Sequence, residues 1–463
     1  LTALRVFVNI TFIVKKNLEI YLNNTKLLNS YKSSNQTLVL QNVALLDWKK
    51  SLRNYFLAIR DKKIVYVSEE SPSKKVAPKG TIFLDAKNFL LTPGFWNAHG
   101  HLGLSYLRSM GHGEKHMIED LFFKTEVHLT ESHVENLCLA DILTGINSGT
   151  VGFVDHYYFH RATARAVDKF GLRGMIADTL LDLGGPFPGR KGLDSFKKSV
   201  ENWDFSKRVI PVLGPHATNT TSIEYFKEIA AFARSHKLKI HFHLSQTKRE
   251  FEDCKKQHGL TPIAYLHSHG ILGPDCLVVH VIHLEENDYK ILRDTGCTVG
   301  FCPSSQILFE KLAPIHKFIE YEIPFVIGTD DAASNDFADM HQETKLACLL
   351  ARDRGASTGG IAQRFFKAAT YEAPRFFGIQ SGVFEVGAAA DFAVYLLDAE
   401  SYPREFPYES FIFSMNATKH RATMIDGIWR RNPQGPLKTG LPALSKRYVQ
   451  SVKALLLKSK AVK

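Results

Sequence analysis

Eight short apolar runs, each followed by a stretch with helical spacing, limit what this chain can fold into. They cover 91–98, 149–154, 173–179, 209–213, 238–242, 276–279, 298–301 and 324–328. Runs of this length suit strands covered on both faces. Segments between them, such as SIEYFKEIAAFARS (222–235), bring apolar residues back every three or four positions, as an amphipathic helix does. Strand and helix alternating eight times predict an α/β fold, a (β/α)8 TIM-like barrel. A doubly wound open sheet is the alternative, but no GxGxxG follows an early run.

Material of a different kind flanks this region. Short β-like runs begin at Thr37, one turning at Asp61-Lys62-Lys63, and similar runs return at 382–398 and 422–431. The expected organisation is an extension over 1–36 and a composite β-sandwich domain built from 37–92 and 382–440. The barrel spans 93–381, and a basic tail covers 441–463.

Charge and cysteine content narrow the setting. The net charge of +11 is spread over scattered lysines, without a basic run carrying aromatics, so no nucleic-acid partner is expected. The apolar run at 6–14 is too short to span a bilayer and has no small-residue cleavage site after it, so no membrane anchor or signal peptide is expected. Six cysteines lie far apart with no CxxC pair, which suits a reducing, cytoplasmic compartment.

Chemistry in such barrels gathers where strands end. There the chain places His99 and His101, Asp155 and His156, His216, His241 and His243, His280 and His283, and Asp330. His99 and His101 are two apart on a strand and share a face, so they can grip one metal ion together. One such histidine is ordinarily a packed or rim residue. Many on one end are hard to explain as packing, because unpartnered buried polar groups cost a few kcal/mol each.

The stretches PGFWNAHGHL (93–102), SGTVGFVDHYY (148–158), GPHAT (214–218) and HFHLSQT (241–247) resemble the amidohydrolase superfamily, in its chlorohydrolase and aminohydrolase branch. So do VVHVIHLEEND (278–288), FCPSSQ (301–306), VIGTDDAASND (326–336) and FEVGAAADFAVY (384–395), in the family's order. The resemblance implies one divalent metal on His99, His101, His243 and Asp330, zinc by default and iron as an alternative. His241 is the local rival of His243, and Asp331 could take the helix-capping role that is the bland reading of Asp330. The second metal of some relatives needs a lysine on strand four; VIPVLGPH has none.

By the same resemblance Asp330 accepts the proton of the attacking water, His280 orients that water, and His216 touches substrate. The implied reaction is hydrolysis of a C–N bond in a small nitrogen heterocycle such as a purine, pterin, pyrimidine or triazine. A C–halogen hydrolase on the same residues differs only in leaving group. One departure bears on chemistry: Gln246 stands where deaminases carry a proton-shuttling Glu. An amide has no proton to give, and losing a general acid costs about 10²–10⁴-fold. A substitute acid such as Asp331 or Glu310, a leaving group that needs no proton, or weak activity would each accommodate it. The competing function is a non-catalytic homologue that serves as a binding or assembly module. Gln306, in place of the usual Asn, and Gly100, in place of Thr, touch no ligand. Substrate choice is expected in loops 105–126 and 181–198, the second carrying Arg190. Helices are expected at 338–353 and 359–378, and a homodimer is implied by the relatives.

Overall fold

The computed structural model describes residues 16–459, apart from 25–27, 29–30, 32–35, 114–115, 358 and 402–404. The apolar run at 6–14 lies outside the described residues. Eight parallel strands form one sheet in sequence order: β1 (Phe95–Gly100), β2 (Thr150–Tyr157), β3 (Arg173–Leu180), β4 (Val209–Pro215), β5 (Ile240–Leu244), β6 (Cys276–His280), β7 (Thr298–Phe301) and β8 (Phe325–Ile327). The sheet curls until its ends meet. Asp330 N donates to His99 O at 3.0 Å, and Thr329 N to the Asn97 side chain at 2.9 Å, which joins β8 to β1. Gly328 makes the seam possible, since a Cβ there would sit 2.6 Å from His99 N.

Helices follow the strands as the periodicity predicts. Ile223–Ser235, for example, starts at Ser222, whose hydroxyl accepts from Tyr225 N, and buries Tyr225, Phe226, Ile229, Ala230 and Ala233 along one side. After β8 come Met340–Asp353 and Ile361–Lys367, within the helical stretches expected there. Among the described residues no helix is long and apolar enough to cross a membrane.

The run expected as one strand over 91–98 is two. Phe89–Pro93 belongs to a separate ten-stranded mixed sheet, where Leu91 pairs antiparallel with Val394, and the chain then passes into β1. Pro93 has no N–H to continue a ladder. At Gly94 an added Cβ would lie 2.1 Å from Val151 Cγ1, so the crossing passes flush against β2. Gly94→Ala is expected to destabilise the fold by about 1–3 kcal/mol. The check is a lowered urea midpoint at unchanged slope.

The mixed sheet joins both ends of the chain. Leu38–Leu46, Ser51–Arg60, Lys63–Ser68 and Ile82–Asp85 share it with Phe392–Leu396, His420–Ile425 and Ile428–Asn432. The turn at Asp61 and Lys62 has both residues at positive φ (50° and 69°), as a two-residue hairpin loop requires. Part of the expected extension is built in: Leu18, Tyr21 and Leu22, on a short helix, are buried in this sheet's core. Nor does the basic tail hang free. Leu441–Ser459 is a helix with Leu455 fully buried and Leu444, Tyr448 and Val452 packed on the barrel's core. Its apolar positions do recur at helical spacing, but lysines among them masked the pattern.

Candidate metal centre

The strand ends at one mouth of the barrel converge. His99 and His101 leave β1, His243 lies on β5, and Asp330 follows β8. His99 Nε2 and His101 Nε2 each lie 3.3 Å from Asp330 Oδ1, and His243 Nε2 is 3.3 Å from His101 Nε2. His280, closing β6, sets its Nε2 3.7 Å from Asp330 Oδ2. Non-glycine residues adopt left-handed backbone at these ends: Ser245 (φ 54°), His280 (φ 75°), Val281 (φ 50°) and Asp330 (φ 62°). Such conformations cost of order 1–3 kcal/mol each and persist where the surroundings impose them.

The outer hydrogen bonds decide what the inner nitrogens are. A carbonyl can only accept, so His101 Nδ1 donates to His156 O, and His243 Nδ1 donates to His216 O at 3.0 Å. Both Nε2 atoms are therefore bare lone pairs when the rings are neutral. His99 Nδ1 meets His241 Nε2 at 2.9 Å, and the buried His99 Nε2 faces only the Asp330 carboxylate, without a well-aligned hydrogen bond. Lone pairs and a carboxylate facing one another at these distances are the donor set of a divalent metal ion. The residues fit such an ion.

Charge follows the same logic. Burial pushes the His216 and His280 imidazoles down to about 3, so both are neutral at ordinary pH. Burial also opposes protonation of His101, yet the Asp330 carboxylate prevails and holds it up at about 9. For Asp330 burial works against ionisation, but His101 and His99 keep the carboxyl well below its usual range. A cation at their focus would replace the proton that His101 otherwise keeps.

A small chamber of about 40 Å³ opens over these groups, lined among others by Glu126, His156, Tyr157, His216, Gln246 and Asp331. Ile118, Phe123, His216 and Gln246 also border an outer pocket of about 350 Å³.

His99, His101, His243, His280, Asp330, His216 and Gln246 thus meet at one mouth. His241 lies behind His99, facing its Nδ1, while His243 faces the chamber. Asp155 is buried beside them and holds the turn after β1 by accepting from Leu102 N at 2.7 Å. Asp331 lines the chamber, but its Oδ1 accepts from Ala333 N and Ser334 N and its Oδ2 from Ser334 Oγ. Glu310 does not line the chamber; it pairs with His283 at 2.9 Å. Arg190 turns to Asp182 and Glu228 instead. Sequence reasoning missed Glu126, whose burial lifts its carboxyl to about 7. Only its place at the end of loop 105–126 hinted at it.

A parallel barrel with histidines and an aspartate focused at its C-terminal mouth defines a (β/α)8 protein whose site can hold a metal ion. The comparisons carry this further: the profile described as Amidohydrolase family matches residues 90–430, and the chain belongs to that family. A 5'-deoxyadenosine deaminase of Methanosphaera stadtmanae is 30% identical over 354 residues, covering 74% of this chain and 83% of the relative. A 5-methylthioadenosine/S-adenosylhomocysteine deaminase of Thermococcus onnurineus is 30% identical over 377 residues, 80% and 88% of the two chains. Among solved structures, an adenosine deaminase from Xanthomonas campestris with bound zinc superposes with a TM-score of 0.84 at 21% identity, covering 91% of this chain and 98% of that one.

Proposed function

We propose that this protein is a metal-dependent hydrolase that removes an exocyclic group, an amino group first of all, from a small nitrogen heterocycle. The names of its relatives favour a purine ring. The observation that carries the reading is the focus of three imidazoles and Asp330, with His101 and His243 locked in the tautomer that bares Nε2. His99, His101, His243 and Asp330 hold one divalent ion, and zinc suits this donor set. When bound, the ion polarises water and lowers its pKa towards about 7.

The chain's residues do the rest. Asp330 accepts the water proton on Oδ2, the oxygen that also takes the Ser305 hydroxyl. His280, neutral and 3.7 Å from that oxygen, directs the attacking oxygen towards the ring. His216 and Gln246 border the chamber and grip the ring edge through hydrogen bonds. Gln246 offers an amide hydrogen and no acid, so the departing nitrogen is poorly protonated and the turnover of amines is slow. The alternative of binding without turnover rests on Gln246 alone, while the cage around it is whole.

The same proposal sets the protein in the cytoplasm, where its six buried, free thiols stay reduced, and pairs it as a homodimer. Metal-replete protein should release ammonia from 5'-deoxyadenosine or methylthioadenosine, with guanine, a pterin and an aminotriazine as the comparison panel. A stoichiometric ion with no hydrolysis of any member would sink the catalytic reading, and light scattering at the monomer mass would sink the dimer.

A further inference from the structure

Another histidine borders the chamber that the reaction above does not use. His156, near the end of β2, is fully buried. One nitrogen from each of His101, His156 and His243 can be chosen so that all lie within 4.8 Å of one another. Its ring centre is 4.8 Å from that of His243 and 5.9 Å from that of His101. Nδ1 meets the Thr179 hydroxyl at 3.1 Å, while Nε2 is buried beside Gly214 and Pro215 of β4 without a well-aligned hydrogen bond. An apolar side chain of similar volume would fill this place without stranding a nitrogen. The bordering strand leaves room for the imidazole: at Gly214 a Cβ would sit 3.0 Å from His156 Nε2 and 2.5 Å from Asp178 O.

We propose that His156 is an additional ligand of the ion, giving it a second seat with His101 and His243 beside the one formed with Asp330. This rests on the reading of the cage as a metal site. Zinc centres expand from four to five ligands readily, so His156 can hold the position that water or substrate later takes. The backbone oxygen of His156 also receives the His101 Nδ1 hydrogen, so replacing the side chain leaves that bond in place.

The test compares wild type with His156→Gln and His156→Asn, each checked for folding by circular dichroism. Zinc affinity is measured by competition with a chromophoric chelator, and the ligand set by the visible absorption of cobalt-loaded protein. The expected result is zinc binding weakened about 10–100-fold in the variants, with a shifted cobalt spectrum as water takes the position that the imidazole leaves. Equal affinity and identical spectra would overturn the role of His156 while leaving the cage intact. Absence of any stoichiometric ion from wild type would take down both readings. Should neither variant fold, the cobalt-loaded wild type still decides. Four strongly shifted imidazole N–H resonances support the additional ligand, and three or fewer remove it.

Discussion

Gln246→Glu is expected to raise the rate of amino-group hydrolysis by about 10²–10⁴-fold, equivalent to about 3–5 kcal/mol of barrier. The exchange is nearly isosteric, and residue 246 already borders the chamber over the cage. A carboxyl there would border the chamber that His216 also lines and, unlike the amide, can carry a proton to the leaving group. Of the two substitutes that the sequence offers, Asp331 is lifted by burial to about 7 but has both oxygens engaged by the following turn, and Glu310 is paired with His283. Ammonia release from the best substrate, measured at saturating and limiting concentrations, checks the effect. A gain confined to KM would mean that residue 246 binds the ring and moves no proton. A substrate whose leaving group needs no proton should gain little from the same change.

The second large effect concerns the cage. His243→Ala removes a bare Nε2 and is expected to weaken metal binding by at least about 10–100-fold. Asp330→Asn keeps the shape and the contact with Ser305 but removes the proton acceptor and a negative charge. Turnover should fall about 10²–10⁴-fold even with metal in excess. Elemental analysis beside kinetics separates the two: His243→Ala should recover partly when metal is added, and Asp330→Asn should not. Recovery of both to wild-type rates would remove these residues from the chemistry.

Much of this was legible in the residues, for identifiable reasons. Apolar runs of strand length alternating with helical spacing report a sheet covered on both faces, and seven of the eight runs lie within a few residues of the strands. The first run failed because apolar character does not change where a strand leaves one sheet for another; only Pro93-Gly94 marks the passage. Spacing alone could not choose His243 over His241, since both lie on one face of β5. The choice becomes physical only when His241 Nε2 is seen against His99 Nδ1. Glu126 was invisible because its hydrogen-bonding partner, Tyr157, lies on β2, and only folding brings the two together. The C-terminal segment reads as a basic tail because its lysines stand among Leu444, Tyr448, Val452 and Leu455, whose helical spacing the fold uses.

The two rings of the cage that are steered by carbonyls take their orientation from residues 156 and 216, whose side chains themselves border the chamber. Main chain at those positions aims the rings proposed to hold the ion, whatever side chain is attached. Selection can therefore rewrite what residue 216 offers to a substrate while the rings proposed to hold the ion keep their aim.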